Sequence, residues 1–63
     1  MSNEMYVVIG EDKESGETWI CETGDYINPK QLVSKEEAEE FVKAFSEIFD
    51  YATYRIAKLS WLD

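Results

Sequence analysis

Ser34-Lys35-Glu36-Glu37-Ala38-Glu39-Glu40-Phe41-Val42-Lys43-Ala44-Phe45-Ser46-Glu47-Ile48-Phe49 decides the architecture of this chain. Ser34 and Glu37 have the spacing of a capping box, in which each side chain satisfies a backbone N–H at the other end of the first turn. Glu36 and Glu37 also stand where the positive end of a helix dipole favours anions. Ala38, Phe41, Val42, Phe45, Ile48 and Phe49 follow at i, i+3, i+4, i+7, i+10 and i+11, one continuous apolar stripe. The pattern predicts a helix over residues 35–50. Its large apolar side chains, at about 1.5–3 kcal/mol each, make the stripe a principal source of stability. Removing the Phe45 ring near its middle is expected to cost roughly 3–5 kcal/mol.

On the N-terminal side, Met5-Tyr6-Val7-Val8-Ile9 is rich in β-branched residues and opens a strand over 5–10. Glu11 to Gly16 is polar and ends in Gly, which suits a hairpin loop with Gly16 at positive φ. A returning strand over 17–22 carries Trp19 and Cys21. Thr23-Gly24-Asp25 is a turn, and Asn28-Pro29 breaks regular structure. Tyr26, Ile27, Leu32 and Val33 are expected to tuck under the edge of the core from a loop. Beyond the helix, which lacks a Gly cap, residues 53–61 return to β-type composition and form a third strand.

Strand, strand, helix, strand has few compact solutions. A right-handed crossover through the helix places the third strand beside the first and antiparallel to it. The expected fold is therefore α+β, a single domain over 1–63 with ββαβ order. Its three-stranded antiparallel sheet has spatial order 2-1-3, with one helix packed on one face.

At 63 residues the chain sits near the lower limit for folding without staples. One Cys and no His leave no disulfide and no zinc set, so the expected metal and cofactor complement is none. Two Trp, four Tyr and three Phe supply a core instead. Met1 to Glu4 has neither the basic nor the apolar region of a signal peptide, and no apolar run reaches membrane-span length. With so few cysteines the expected setting is the cytoplasm.

A formal charge of −8 argues against direct contact with nucleic acid or an anionic membrane and is compatible with a basic protein partner. The carboxylates fall into two groups. Glu36, Glu39, Glu40, Glu47 and Asp50 project from the outward side of the helix, while Glu11, Asp12, Glu14 and Glu17 surround the hairpin loop. Such rows either imitate a phosphate backbone or form an ordinary solvated face with i, i+4 pairs such as Glu39 with Lys43. Glu36→Lys with Glu40→Lys is expected to abolish an acidic interaction and leave the fold intact.

One helix covers one face of a sheet, and the strands alternate poorly, so apolar side chains remain on the uncovered side whichever hairpin register is adopted. Either the 23–33 loop and Trp61-Leu62 fold over that face, or it is open and serves a homodimer. Tyr6, Trp19 and Trp61 are the aromatic candidates for such a contact. Catalysis is not expected: no His is present to orient a nucleophile, and Cys21 reads as a small core residue.

Tyr6-Val7-Val8-Ile9, Ser34 to Phe41 and Tyr54-Arg55-Ile56-Ala57-Lys58-Leu59 together resemble small accessory proteins encoded by bacterial viruses. The resemblance implies a host-cytoplasmic protein that inhibits a host enzyme or defence system by stoichiometric binding. It carries no residue-level site. The expected function is thus non-enzymatic: a protein-binding module acting on a host or basic nucleic-acid-binding protein. The alternative is an assembly protein that forms a homo-oligomer through the uncovered sheet face.

Overall fold

A computed structural model describes residues 5–24, 29–60 and 62 of the chain. Along the chain run β1 (Tyr6–Asp12), β2 (Thr18–Ile20), β3 (Thr23–Gly24), β4 (Pro29–Lys30), the helix α1 (Lys35–Ile48) and β5 (Ala52–Lys58). The strands β1, β2 and β5 form an antiparallel sheet in the order β2-β1-β5. The helix packs over β1 and β5. This is the expected α+β architecture, with the most apolar strand at the centre. The hairpin register, which alternation leaves open, is Ile9 opposite Ile20, Gly10 opposite Trp19 and Glu11 opposite Thr18. β5 lies along the whole of β1, from Tyr6 opposite Lys58 to Asp12 opposite Ala52.

Several boundaries differ from expectation. Glu11 and Asp12 belong to β1 rather than to the loop, because β5 is long enough to pair with them. The loop is therefore only Lys13 to Gly16, closed by Asp12 N–H to the Glu17 carbonyl at 2.9 Å and Gly16 N–H to the Asp12 carbonyl at 3.0 Å. Gly16 has φ 77°, the left-handed conformation that favours glycine. β2 is shorter than 17–22, although Cys21 N–H still reaches the Val8 carbonyl at 2.8 Å.

A second correction lies between β2 and the helix, where a loop was expected. There β3 and β4 form a small antiparallel pair, and the buried Thr23 hydroxyl donates to the Lys30 carbonyl at 3.0 Å. Of the four residues expected to tuck under the core, Val33 does so, whereas Leu32 is exposed. Tyr26 and Ile27 lie outside the described residues.

Val33 sets the start of the helix. Its N–H and carbonyl each bond to Tyr6 at 2.9 Å, which ties the residue before the cap to the beginning of the central strand. Ser34 then caps α1 by accepting from Glu37 N–H at 3.2 Å, and its hydroxyl donates to the Glu37 carboxylate at 3.1 Å. Val33 and Ala38 are both buried in the same cluster, at the positions of a hydrophobic staple.

The core is small: Val8, Cys21, Val33 and Ala38, flanked by Tyr6, Trp19, Phe41, Val42, Phe45 and Tyr54. The apolar stripe does not extend as far as expected. Ile48 is 68% exposed, and Phe49 is exposed too. Successive residues rotate by about 100° around a helix, so Ile48 sits roughly 60° from Phe45, on the side away from Val42. Phe45 and Phe49 lean towards β2, and the opposite margin of the stripe is left in water. The helix ends without glycine; Phe49 N–H bonds the Phe45 carbonyl at 2.7 Å, and the Phe49 carbonyl accepts from the Tyr54 hydroxyl at 3.0 Å.

Candidate functional site: an aromatic cleft at an acidic end

Because α1 lies over β1 and β5, the helix-facing side of β2 is only partly roofed. A cleft of about 230 Å³ opens there between β2 and the last turns of the helix. Trp19, Ile20, Cys21 and Glu22 line it from β2 and the residues after it, and Phe45, Phe49, Tyr51 and Tyr54 from the helix and the start of β5. The rings form one connected set. Trp19 and Tyr51 are nearly parallel with centroids 6.4 Å apart, Tyr51 meets Phe49 edge-on at 6.2 Å, and Phe45 touches both Phe49 at 6.0 Å and Tyr54 at 5.6 Å.

Glycine makes this wall possible. A Cβ on Gly10 would stand 2.7 Å from Trp19 Cε2 and Cζ2, so the indole lies directly against the Gly10 backbone. Nothing in the local sequence marks Gly10, since its only signal is the need for space beside a cross-strand partner. The alternation of β2 puts Trp19 and Cys21 on the helix side and Ile20 on the other.

Two groups here titrate away from their ordinary values. Burial pushes the Cys21 thiol up, against the opposing effects of the Trp19 side chain and the Gly10 backbone. Such a thiol stays protonated at neutral pH and is a poor nucleophile. Burial likewise raises the Tyr54 hydroxyl, with further contributions from Tyr51, Cys21 and Asp50.

The acidic residues are redistributed relative to their sequence grouping. Lys13 N–H donates to the Tyr51 carbonyl at 3.1 Å, which ties the hairpin tip to the segment following the helix. Asp12 and Glu14 are thereby brought to the same end of the molecule as Glu47 and Asp50. Among the described residues, no basic side chain stands in the last helical turn, where the dipole is negative. Asp12 also shapes the hairpin tip, where its Oδ1 accepts from Glu14 N–H at 2.8 Å and Ser15 N–H at 2.9 Å. These bonds, that from Ser15 first, hold its carboxyl below the usual aspartate range. Glu36, Glu39 and Glu40 are exposed on the first half of the helix, away from this end. Glu11 leaves the group altogether, because its place in β1 turns it to the uncovered face beside Ile9 and Arg55.

That uncovered face carries exposed Met5, Ile20 and Leu59, with Ile9 and Ala57 half-buried and Val7 buried. Neither Tyr6 nor Trp19 lies on it; both pack against the helix-side core. Trp61 lies outside the described residues. Among the described residues no helix is long and apolar enough to cross a membrane, and no group of His, Cys, Asp or Glu is arranged to hold a metal ion. No family model, curated protein or solved structure matches the chain.

Proposed function

We propose that this chain is a non-enzymatic protein-binding domain that engages a basic surface of another protein, acting as a stoichiometric inhibitor or modulator. Nucleic-acid-binding proteins are the partner class such a surface suits, because their grooves are built to receive rows of negative charge. The observation that carries the reading is the bond from Lys13 N–H to the Tyr51 carbonyl. It gathers Asp12 and Glu14 with Glu47 and Asp50, against the single cation Lys13, at the end of α1 whose last turn holds no basic residue among the described residues, next to exposed aromatic rings. The negative pole of the helix adds to the attraction these carboxylates offer a cationic partner. The resemblance to phage accessory proteins agrees with this mode of action.

The test is capture of basic proteins from a bacterial lysate on the immobilised domain at low salt, followed by elution with rising ionic strength. Screening contracts from about 10 Å at 0.1 M to about 3 Å at 1 M, so retention should fall steeply over that range. Glu47→Lys with Asp50→Lys is expected to weaken binding by about tenfold or more. Lysine at a helix C-terminus favours the helix, so the fold should survive the change. Glu36→Lys with Glu40→Lys, at the other half of the helix, should have the smaller effect. Salt-independent retention, or full retention by the Glu47/Asp50 variant, would remove the reading.

A second reading rests on the uncovered sheet face, where Ile20 and Leu59 are each 49% exposed. Here the chain is an assembly protein that pairs with itself through that face. Sedimentation equilibrium should then show association that Ile20→Ser or Leu59→Ser disperses. A strict monomer at high concentration sinks this alternative.

A further inference from the structure

We propose that the aromatic cleft is a receptor for a single arginine side chain of the basic partner; this assignment rests on the basic-partner reading and names the contact that gives it specificity. Size restricts the occupant first. The cleft's volume, about 230 Å³, falls below the roughly 300–1,000 Å³ typical of small-molecule pockets. It exceeds by far the roughly 30 Å³ share of one water. One side chain entering from a partner's surface matches that size.

Chemistry restricts it next. The walls are aromatic rings, and Tyr51 is 57% exposed at the mouth, where an incoming group meets it without displacing core. A purely apolar side chain would gain from such walls. The surroundings, however, carry negative charge: Glu22 lines the cleft, and Asp50 follows the end of α1, which lacks a basic residue in its last turn among the described residues. Aromatic walls with a negative rim select a cation that tolerates partial desolvation. A guanidinium is planar, weakly hydrated and stacks on rings, whereas an ammonium holds its water more tightly. Arginine is the cation that fits both features.

The probe is a blocked tripeptide, acetyl-Gly-Arg-Gly-amide, titrated into the full chain and followed by NMR. Counterparts carrying citrulline, lysine or norleucine at the centre serve as controls. The arginine peptide should shift the Trp19 indole N–H and the Phe49 and Tyr51 ring resonances together. Citrulline, the neutral isostere, should bind about tenfold more weakly, the scale of a partly desolvated cation–π contact. Tyr51→Ala should lose the response while keeping the backbone carbonyl that holds Lys13. Phe49→Leu, which preserves bulk and removes the ring, should weaken it as well, and unchanged amide shifts elsewhere would report an intact fold in both variants. Equal responses to norleucine or citrulline would make the cleft an ordinary apolar slot and overturn the proposal; an equal response to lysine would overturn the choice of guanidinium. Shifts confined to residues 12–14 and 47–50 would overturn the cleft while leaving the basic-partner reading standing. No shift anywhere would overturn the arginine cleft, and the salt dependence of protein retention would decide the basic-partner reading separately.

Discussion

Phe45→Ala is expected to lower the thermal midpoint of the domain by about 12–24 °C. Phe45 is the ring on which the aromatic set converges, touching Phe41 at 5.7 Å, Phe49 at 6.0 Å and Tyr54 at 5.6 Å. Truncating a core Phe costs roughly 3–5 kcal/mol. Phe45 is half-buried, which places the expected loss near about 3 kcal/mol at the lower end of that range. Domains hold roughly 0.05–0.15 kcal/mol per residue in total, about 3–9 kcal/mol for a chain of 63 residues, so this loss is a third of the stability or more. Thermal denaturation followed by circular dichroism is the measurement, with a loss of about 4–8 °C expected per kcal/mol for a small domain. Phe41→Ala removes a ring whose aromatic contact is with Phe45, at the edge of the set, and should shift the midpoint less. A Phe45→Ala protein melting within a few degrees of the parent would mean that the helix is held by something other than this cluster.

Gly10→Ala carries the second large effect, and it arises from a single methyl group. The added Cβ would meet the Trp19 ring at 2.7 Å, well inside any tolerable contact. The indole must move away from β1, towards the cleft and Tyr51. Overpacking of this kind costs about 1–3 kcal/mol, with the relief depending on how far the ring can swing. Trp19 fluorescence should change along with the denaturation midpoint, because the ring leaves its seat. The decisive measurement is a double-mutant cycle with Trp19→Leu. If the indole is the obstacle, Gly10→Ala should be nearly harmless once it is gone, so the two changes are strongly non-additive. Simple additivity would show that the cost lies in the backbone of β1 and not in the wall of the cleft.

These two positions are unequally legible in the sequence. Phe45 stands out, because the 3.6-residue periodicity of the stripe and the Ser34/Glu37 cap are local signals that report directly on one helix. Gly10 is silent, because its role depends on a residue nine positions away that faces it only in one hairpin register. Ile48 departs from its expected burial for a related reason. Periodicity says which residues share a face, but the placement of the helix over β1 and β5 decides how much of that face is covered.

The candidate site divides in the same way. Composition alone supplies the excess of carboxylates, the absence of His and the single thiol, and with them the expectation of binding rather than chemistry. The division into a helix row and a loop row follows chain order, and the fold does not respect it. The Lys13–Tyr51 bond carries Asp12 and Glu14 to the end of the helix, while strand alternation turns Glu11 to the opposite face.

What the amino-acid order settled unaided was one amphipathic helix, the three strands of the main sheet and the order in which they pair, whereas the β3–β4 pair reads as a loop. Which rings meet across the sheet, which carboxylates share an end and where a cleft opens were decided only by tertiary packing. Those relations depend on strand register and on the lateral position of the helix. Both are fixed by the sum of many weak contacts between residues far apart in the chain, and no local pattern records that sum.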